Sequence, residues 1–331
     1  MSRIIIQNGN MCELDLPLKF AQKLYNEFAI RHPNAFYLRT RQRGMQNWDG
    51  KIHYITKTGQ FKIGLLPKVY DMCIEMGIKP KVVDMRQPLP KVSKVVTNIG
   101  KYKLRPEQEK AVKSVINNRV GDTPFHIGVL DYTVNAGKTL IMSSLYLSYK
   151  KQLKTLLITN DSDWLNQARE EFKQYLPGED ITFVQGKVLN WSNFTIGMVQ
   201  SISRNMRFYQ KELSQIDMVL VDEADQGGSK QYQNVITRLF NTRIRIGLSG
   251  TIYMSKLAKD KVKNMNLECF FGKVIAEFKL KDSIKKGYST KTIVKMVPGK
   301  PWYGNWESDC ISYKEIYDVS ITENNTAWTM A

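Results

Sequence analysis

Histidine is almost missing from this chain, with three in 331 residues. That scarcity argues against a histidine-based metal centre. Cysteine is also sparse: Cys12, Cys73, Cys269 and Cys310 are scattered, without zinc-ligand spacing or the density of a disulfide framework. Free thiols in a reducing compartment are the reading they support. No run of about 18 apolar residues exists, so no membrane span is expected. The opening MSRIIIQNGN is too polar for a secretory signal, and a cytoplasmic location is expected. Internal repeats and low-complexity segments are absent. Acidic residues are in deficit too, with 31 Asp and Glu against 49 Lys and Arg, a net charge of +18. A domain this basic usually meets a polyanion, because lysine and arginine displace condensed counterions from phosphates. What is present is an ordinary globular share of apolar residues, 42%, on a chain long enough for two domains.

Composition breaks once, over RQPLPKVSKVVTNIG, which holds two prolines, two lysines and no aromatic. This places a small α/β (α+β) domain at 1–86 and a linker at 87–100. In the first part, Ile4–Ile6, Met11–Leu14, Phe36–Arg39, Lys51–Thr56 and Lys79–Asp84 read as strands. Leu18–Ala29 and Gly64–Met76 read as helices. Past the linker, apolar strands alternate with helices. The strands are Phe125–Leu130, Thr155–Ile158, Ile181–Val184, Thr195–Met198, Met218–Val221 and Ile244–Leu248. That alternation predicts a mostly parallel sheet covered on both faces, with phosphate chemistry at the carboxyl ends of the strands.

Val134-Asn135-Ala136-Gly137-Lys138-Thr139 follows one such strand and opens the helix Leu140–Lys150. A phosphate-binding loop needs this context, since backbone N–H groups and a helix N-terminus receive the phosphates. Gly137 permits close approach, Lys138 brings a point charge to the β and γ phosphates, and Thr139 offers a hydroxyl to Mg²⁺. The full P-loop pattern carries glycine at position 132, where this chain has Tyr132. Further on, Met218–Val221 ends in Asp222-Glu223-Ala224-Asp225. A carboxylate at a strand end suits the Mg²⁺ that bridges nucleotide phosphates, and the next one suits an attacking water. Asp222 is therefore the candidate metal ligand with Thr139, Glu223 the candidate base, and ATP with Mg²⁺ the expected cofactors. The interval from Lys138 to Asp222 leaves room for two to three βα units at roughly 30 residues each.

From Lys101 onward the chain resembles superfamily 2 helicases, which implies a RecA-like P-loop NTPase fold for 101–300. Leu104-Arg105-Pro106-Glu107-Gln108 is similar to the family's adenine-sensing segment, making Arg105 and Gln108 cofactor-binding candidates. The sequence also permits a simple capped helix start there. Ser249-Gly250-Thr251 is similar to the motif that couples the ATP site to a second motor domain. Thr159–Gln167 and Gly197–Ser201 fall where relatives touch the nucleic-acid backbone, which singles out Gln200 and Ser201. Asp222–Asp225 spells DEAD, yet Leu-Ser-Gly-Thr and Leu-Arg-Pro-x-Gln are more similar to DNA-repair and restriction-type helicases. Asn47-Trp48-Asp49-Gly50 resembles a segment of the UvsW-type phage helicases. That resemblance implies an ATP-driven motor on branched or forked duplex and single-stranded DNA, in host cytoplasm, alongside other replication or recombination proteins.

Arg39, Arg41, Arg43 and Lys51 bracket Trp48. Two readings stand: a nucleic-acid grip with a stacking aromatic, or a solvated basic hairpin around a packed tryptophan. The lysine-rich run from Lys256 to Lys300 is likewise a phosphate-binding face or a solvated surface. The resemblance implies a second RecA-like domain with arginine fingers. No motif of that kind follows Thr251, and 301–331 reads as a linker followed by a stretch, Tyr313–Ala331, that resembles only the beginning of such a domain, so weak ATPase activity alone is expected. Three other functions remain: a DEAD-box-type RNA helicase, a non-catalytic DNA-binding module with a vestigial nucleotide site, and a translocase without strand separation.

Overall fold

The computed structural model describes residues 2–41, 45–149, 152–186, 188–252 and 258–290. Met1–Ser289 form one compact unit. The chain opens with β1 (Arg3–Ile6), β2 (Met11–Asp15), α1 (Leu18–Glu27), β3 (Ala29–Arg31), α2 (Ala35–Arg41), β4 (Lys51–His53), β5 (Gln60–Lys62), α3 (Leu66–Glu75) and β6 (Lys81–Asp84). Two short strands, β7 (Asn98–Ile99) and β8 (Tyr102–Lys103), lead into α4 (Pro106–Ile116) and the hairpin of β9 (Arg119–Val120) and β10 (Thr123–Pro124). The alternating part then runs β11 (His126–Tyr132), α5 (Lys138–Ser148), β12 (Thr155–Thr159), α6 (Ser162–Tyr175), β13 (Ile181–Gln185), β14 (Val188–Leu189), β15 (Phe194–Met198), α7 (Val199–Arg204) and α8 (Gln210–Ser214). It finishes with β16 (Met218–Asp222), α9 (Lys230–Ile236), β17 (Ile244–Ser249), α10 (Ala258–Phe271), β18 (Val274–Phe278) and α11 (Leu280–Lys285).

The large sheet has the order β14-β13-β15-β12-β16-β17-β11-β18. Every neighbouring pair is parallel except β13 and β14, which form an antiparallel edge. Its central strands are buried on both faces, as the continuous apolar runs require. Alternate residues feed two different cores. Ile127, Val129, Leu156, Ile158, Val219 and Val221 belong to one, while Leu130, Tyr132, Leu157, Leu220, Ile246 and Leu248 belong to the other. Helices α4, α5 and α6 cover the second face through Val112, Ile141, Leu145 and Phe172.

The first face is shared with the amino-terminal residues. Ile4, Ile6, Leu24, Phe61, Leu65 and Val69 pack in the same cluster as Ile127, Val219 and Phe271. Their own sheet, β5-β2-β1-β6, is antiparallel except where β1 pairs with β6. Gly64 shows how close the approach is, since a Cβ there would stand 2.1 Å from the Glu268 carbonyl oxygen. Arg245 on β17 is fully buried and donates to Gly9 O (2.6 Å), Asn10 Oδ1 (2.8 Å) and Phe270 O (3.2 Å). Burial lowers its pKa to about 9, which still leaves a cation at neutral pH, held by carbonyl dipoles instead of a carboxylate. Residues 87–100 run along the large sheet: Arg243 donates to the Gln87 and Pro88 carbonyls, and Ser148 and Ser144 bond the two sides of Val96.

One sequence expectation is overturned here. Phe36–Arg39, read as a strand, lies within α2. Strand reading assumes that alternate aromatic side chains are buried, but Phe36 is 81% and Tyr37 55% exposed. Without burial the period-2 signal carries no information about a sheet face. Among the described residues no helix is long and apolar enough to cross a membrane.

Candidate nucleotide site

Three neighbouring strands of the large sheet end at one place. The register pairs Asp222 on β16 with Leu248 on β17, and Ser249 on β17 with Asp131 on β11. The loop 133–137 leaves β11 at that edge, so the candidate phosphate loop, the Asp222–Asp225 segment and Ser249 become neighbours without any long-range excursion. Gly137 is the left-handed cap of α5, with φ +76. Asn135, also left-handed at φ 62, is a residue type that tolerates this conformation.

Lys138 Nζ lies 3.4 Å from Asp222 Oδ1 and 3.3 Å from Glu223 Oε1. Asp222 is 3% exposed, and its Oδ1 has no hydrogen-bond partner among the described residues despite the nearby ammonium. Burial raises its pKa, Lys138 opposes that shift, and Glu223 adds to it. A buried, under-bonded carboxylate oxygen is the kind of hard oxygen donor that Mg²⁺ prefers, and Asp222 fits that ion. Glu223 takes a left-handed backbone conformation, φ 50, which costs a non-glycine residue roughly 1–2 kcal/mol. Strain of this kind concentrates at functional sites. Ser249 Oγ donates to Asp225 Oδ1 at 3.2 Å and accepts from the Thr251 N–H at 3.2 Å, which ties the Ser249-Gly250-Thr251 turn to the Asp222–Asp225 segment.

Arg105 and Gln108 sit at the start of α4 in a reciprocal cap. Gln108 Oε1 accepts from the Arg105 N–H at 2.8 Å, and Nε2 donates to the Ala136 carbonyl at 2.8 Å. The capped helix start and the link to the phosphate loop are thus the same side chain. Tyr132, in the place of the P-loop glycine, is fully buried and donates its hydroxyl to the Glu107 carbonyl at 2.8 Å. Its ring belongs to the core and not to the loop.

The candidate nucleic-acid residues are spread more widely. Arg39, Arg41 and Lys51 are exposed, and Arg41 stacks over Tyr37 at 4.9 Å. Arg31, Phe36, Arg39, Thr40 and Lys51 line a hollow of about 530 Å³. Trp48 donates Nε1 to the Lys51 carbonyl at 2.9 Å and meets His32 edge-on at 5.7 Å, so its ring is partly packed. Arg43 lies outside the described residues, as do Lys256, Lys291, Lys295 and Lys300 of the lysine-rich run and the stretch 301–331. Ser201 is buried, and its hydroxyl accepts from the Gly186 N–H at 2.9 Å. Gln200 donates to the Asn160 carbonyl at 3.3 Å. Sequence reasoning missed Tyr288, whose ring lies 4.1 Å from the Arg105 guanidinium, and it read Lys286 only as part of the lysine-rich run, not as the partner of Glu107 at 2.7 Å. No local motif signals contacts made across so much of the chain.

A parallel sheet of this order, with a lysine-bearing helix start beside two strand-end carboxylates, defines a RecA-like P-loop NTPase fold. Comparison with known proteins narrows this. Residues 101–254 match the family model described as type III restriction enzyme, res subunit. The curated "ATP-dependent DNA helicase uvsW" of Enterobacteria phage T4 is 22% identical over 228 residues, covering 62% of this chain and 43% of that protein. A crystal structure of the UvsW helicase from bacteriophage T4 matches with TM-score 0.64 and 21% identity, over 84% of this chain and 99% of that one. A second T4 UvsW crystal structure gives 0.62 and 20%, over 82% and 56%. The chain resembles superfamily 2 helicases, and UvsW among them, while spanning less than half the length of the curated relative.

Proposed function

We propose that this chain is the ATP-driven portion of a superfamily 2 DNA helicase that remodels branched DNA. The observation that carries the reading is Lys138 held between Asp222 and Glu223 at adjoining strand ends. In this assignment Gly137, Lys138 and Thr139 with the start of α5 receive the phosphates, and Asp222 and Thr139 would hold Mg²⁺, whose charge would offset that of the phosphates. Glu223, 43% exposed at its side chain, orients and polarises the attacking water. Ser249, bonded to Asp225, passes the state of this site to the turn beyond it. The exposed arginines of α2 with Lys51 meet the DNA backbone, in keeping with the net charge of +18.

Tyr132 in the place of the P-loop glycine is the feature that favours a vestigial site. Its burial away from the loop removes that argument, because the loop needs no glycine where the side chain turns into the core. The test is ATP turnover by the wild type and Glu223→Gln, with and without a forked DNA. DNA-stimulated turnover should fall by about 10²–10⁴ in the variant while ATP binding persists. RNA-only stimulation would instead favour an RNA helicase, and equal turnover by both proteins would remove Glu223 from the chemistry.

A further inference from the structure

The left-handed backbone of Glu223 persists only if its surroundings hold it there. The residues after it, Ala224–Gln226, form one short 3-10 turn. Two backbone bonds close that turn: the Gln226 N–H to Glu223 O at 3.1 Å and the Gly227 N–H to Ala224 O at 2.9 Å. These bonds shape the turn but do not fix its place on the sheet. Close packing seats it from below. A Cβ on Gly247 of β17 would stand 2.7 Å from Ala224 Cβ, and one on Gly227 would stand 2.3 Å from Phe271 Cε2. What remains is sideways movement, and two side chains of the turn oppose it.

Strand β16 lies between β12 and β17 in the sheet, and the turn after it is tied to both neighbours. Toward β17, Asp225 accepts from Ser249 Oγ. Toward β12, Gln226 Oε1 accepts from Asn160 Nδ2. Asn160 directly follows the last residue of β12, and its own place is set from both sides. The next residue, Asp161, caps α6 by accepting from the Asp163 and Trp164 N–H groups at 2.8 and 3.1 Å. The Asp161 N–H in turn donates to Thr159 Oγ1 at 3.2 Å, and the Asn160 carbonyl accepts from Gln200 Nε2 at 3.3 Å. The Asn160 amide is thus presented from a fixed corner between β12 and α6. Gln226 itself is exposed, where one hydrogen bond adds little to stability. A glutamine held this way serves the geometry of the turn more than the folding of the chain.

We infer that Gln226 and Asn160 are positioning residues for Glu223. Their bond keeps the turn from sliding toward β17 and holds the Glu223 carboxylate beside Lys138, where Oε1 and Nζ are 3.3 Å apart. The inference rests on the nucleotide-site reading above. Without the tie Glu223 relaxes toward the right-handed region and its carboxylate leaves the place from which it polarises water. A misplacement of about 1 Å costs roughly a hundredfold in rate. Neither residue belongs to the phosphate loop 133–137, so nucleotide binding does not depend on the tie.

The experiment measures turnover and Mg²⁺-ATP affinity of the full chain with forked DNA present. It compares the wild type, Gln226→Leu, Asn160→Leu, the two together, and Gln226→Glu, which keeps an acceptor at the same reach. Each leucine variant should lower turnover by about ten- to a hundredfold while Mg²⁺-ATP affinity stays that of the wild type. The double variant should be no slower than the slower single one, since the same bond is removed. Gln226→Glu should recover most of the turnover. Undiminished turnover by Gln226→Leu, losses that multiply in the double variant, or a Gln226→Glu as slow as Gln226→Leu overturns the inference and leaves the nucleotide site standing. A fall in Mg²⁺-ATP affinity that matches the fall in turnover also overturns it, because the tie would then support the whole site and not Glu223. A wild type without turnover, or Glu223→Gln as fast as the wild type, overturns both.

Discussion

Tyr132 illustrates how a single departure from a motif is absorbed. The residue ends β11, the loop begins after it, and its side chain turns into the core shared by Leu130, Leu248 and Phe278. The hydroxyl reaches the Glu107 carbonyl, so the tyrosine joins β11 to the first turn of α4. Restoring the consensus by Tyr132→Gly should therefore damage the protein. Removing a buried aromatic typically costs about 3–5 kcal/mol, and glycine in a strand costs more still. Denaturant melts of both proteins check this; a variant as stable as the wild type would show that the ring contributes nothing to the core. At this scale the sequence was informative where chemistry is local. Asp222, Glu223 and Ser249 stand at or just past strand ends that the apolar runs themselves announce, and Lys138 opens the helix after another. It was uninformative where a side chain's duty depends on burial: Arg105-Pro106-Glu107-Gln108 permits the cap in which Gln108 accepts the Arg105 N–H, but nothing in it reveals that the same amide donates to Ala136.

Among the elements, α2 is the one whose exposure needs a purpose. It is a short helix with Phe36, Tyr37, Arg39 and Arg41 turned to solvent, beside Lys51. A helix that buries little of its aromatic surface is held by its flanks and by Ala35. If both arginines contact duplex phosphates, Arg39→Ala with Arg41→Ala should reduce the slope of log affinity against log salt by about two, since each contact contributes roughly 0.9. A slope that stays the same across a salt series would remove α2 from the interface. The strands of the large sheet were legible because residues buried on both faces form unbroken apolar runs. The missed strand β18 has charged Glu277 exposed at the sheet edge and lies in the lysine-rich run, where an interior-strand pattern is diluted.

For the whole molecule, two cores on opposite faces of one sheet set the stability and its pH dependence. His126 opens β11, is buried, and has Nδ1 2.8 Å from the Val115 carbonyl oxygen. Burial lowers its pKa below the ordinary value of 6.5. Below that value the unfolded chain binds a proton that the native protein resists, so stability declines as the medium acidifies and is fully present above it. Asp222 acts in the opposite sense at lower pH, because its raised pKa makes the native state the better proton acceptor. Comparing variants isolates the first effect. The drop in Tm from pH 7.5 to 5.5 should be smaller in His126→Gln than in the wild type, and equal drops would rule His126 out. The change in composition near residue 87 is visible in the sequence. The merging of residues 1–86 into the face of the large sheet is not, because core sharing depends on which apolar faces meet and not on where prolines fall. That merging has a mechanical meaning. Arg245 anchors the Gly9–Asn10 turn to the start of β17, the strand whose last residue is Ser249. A load applied to the amino-terminal sheet is therefore taken up by the same beam that ends at the candidate nucleotide site.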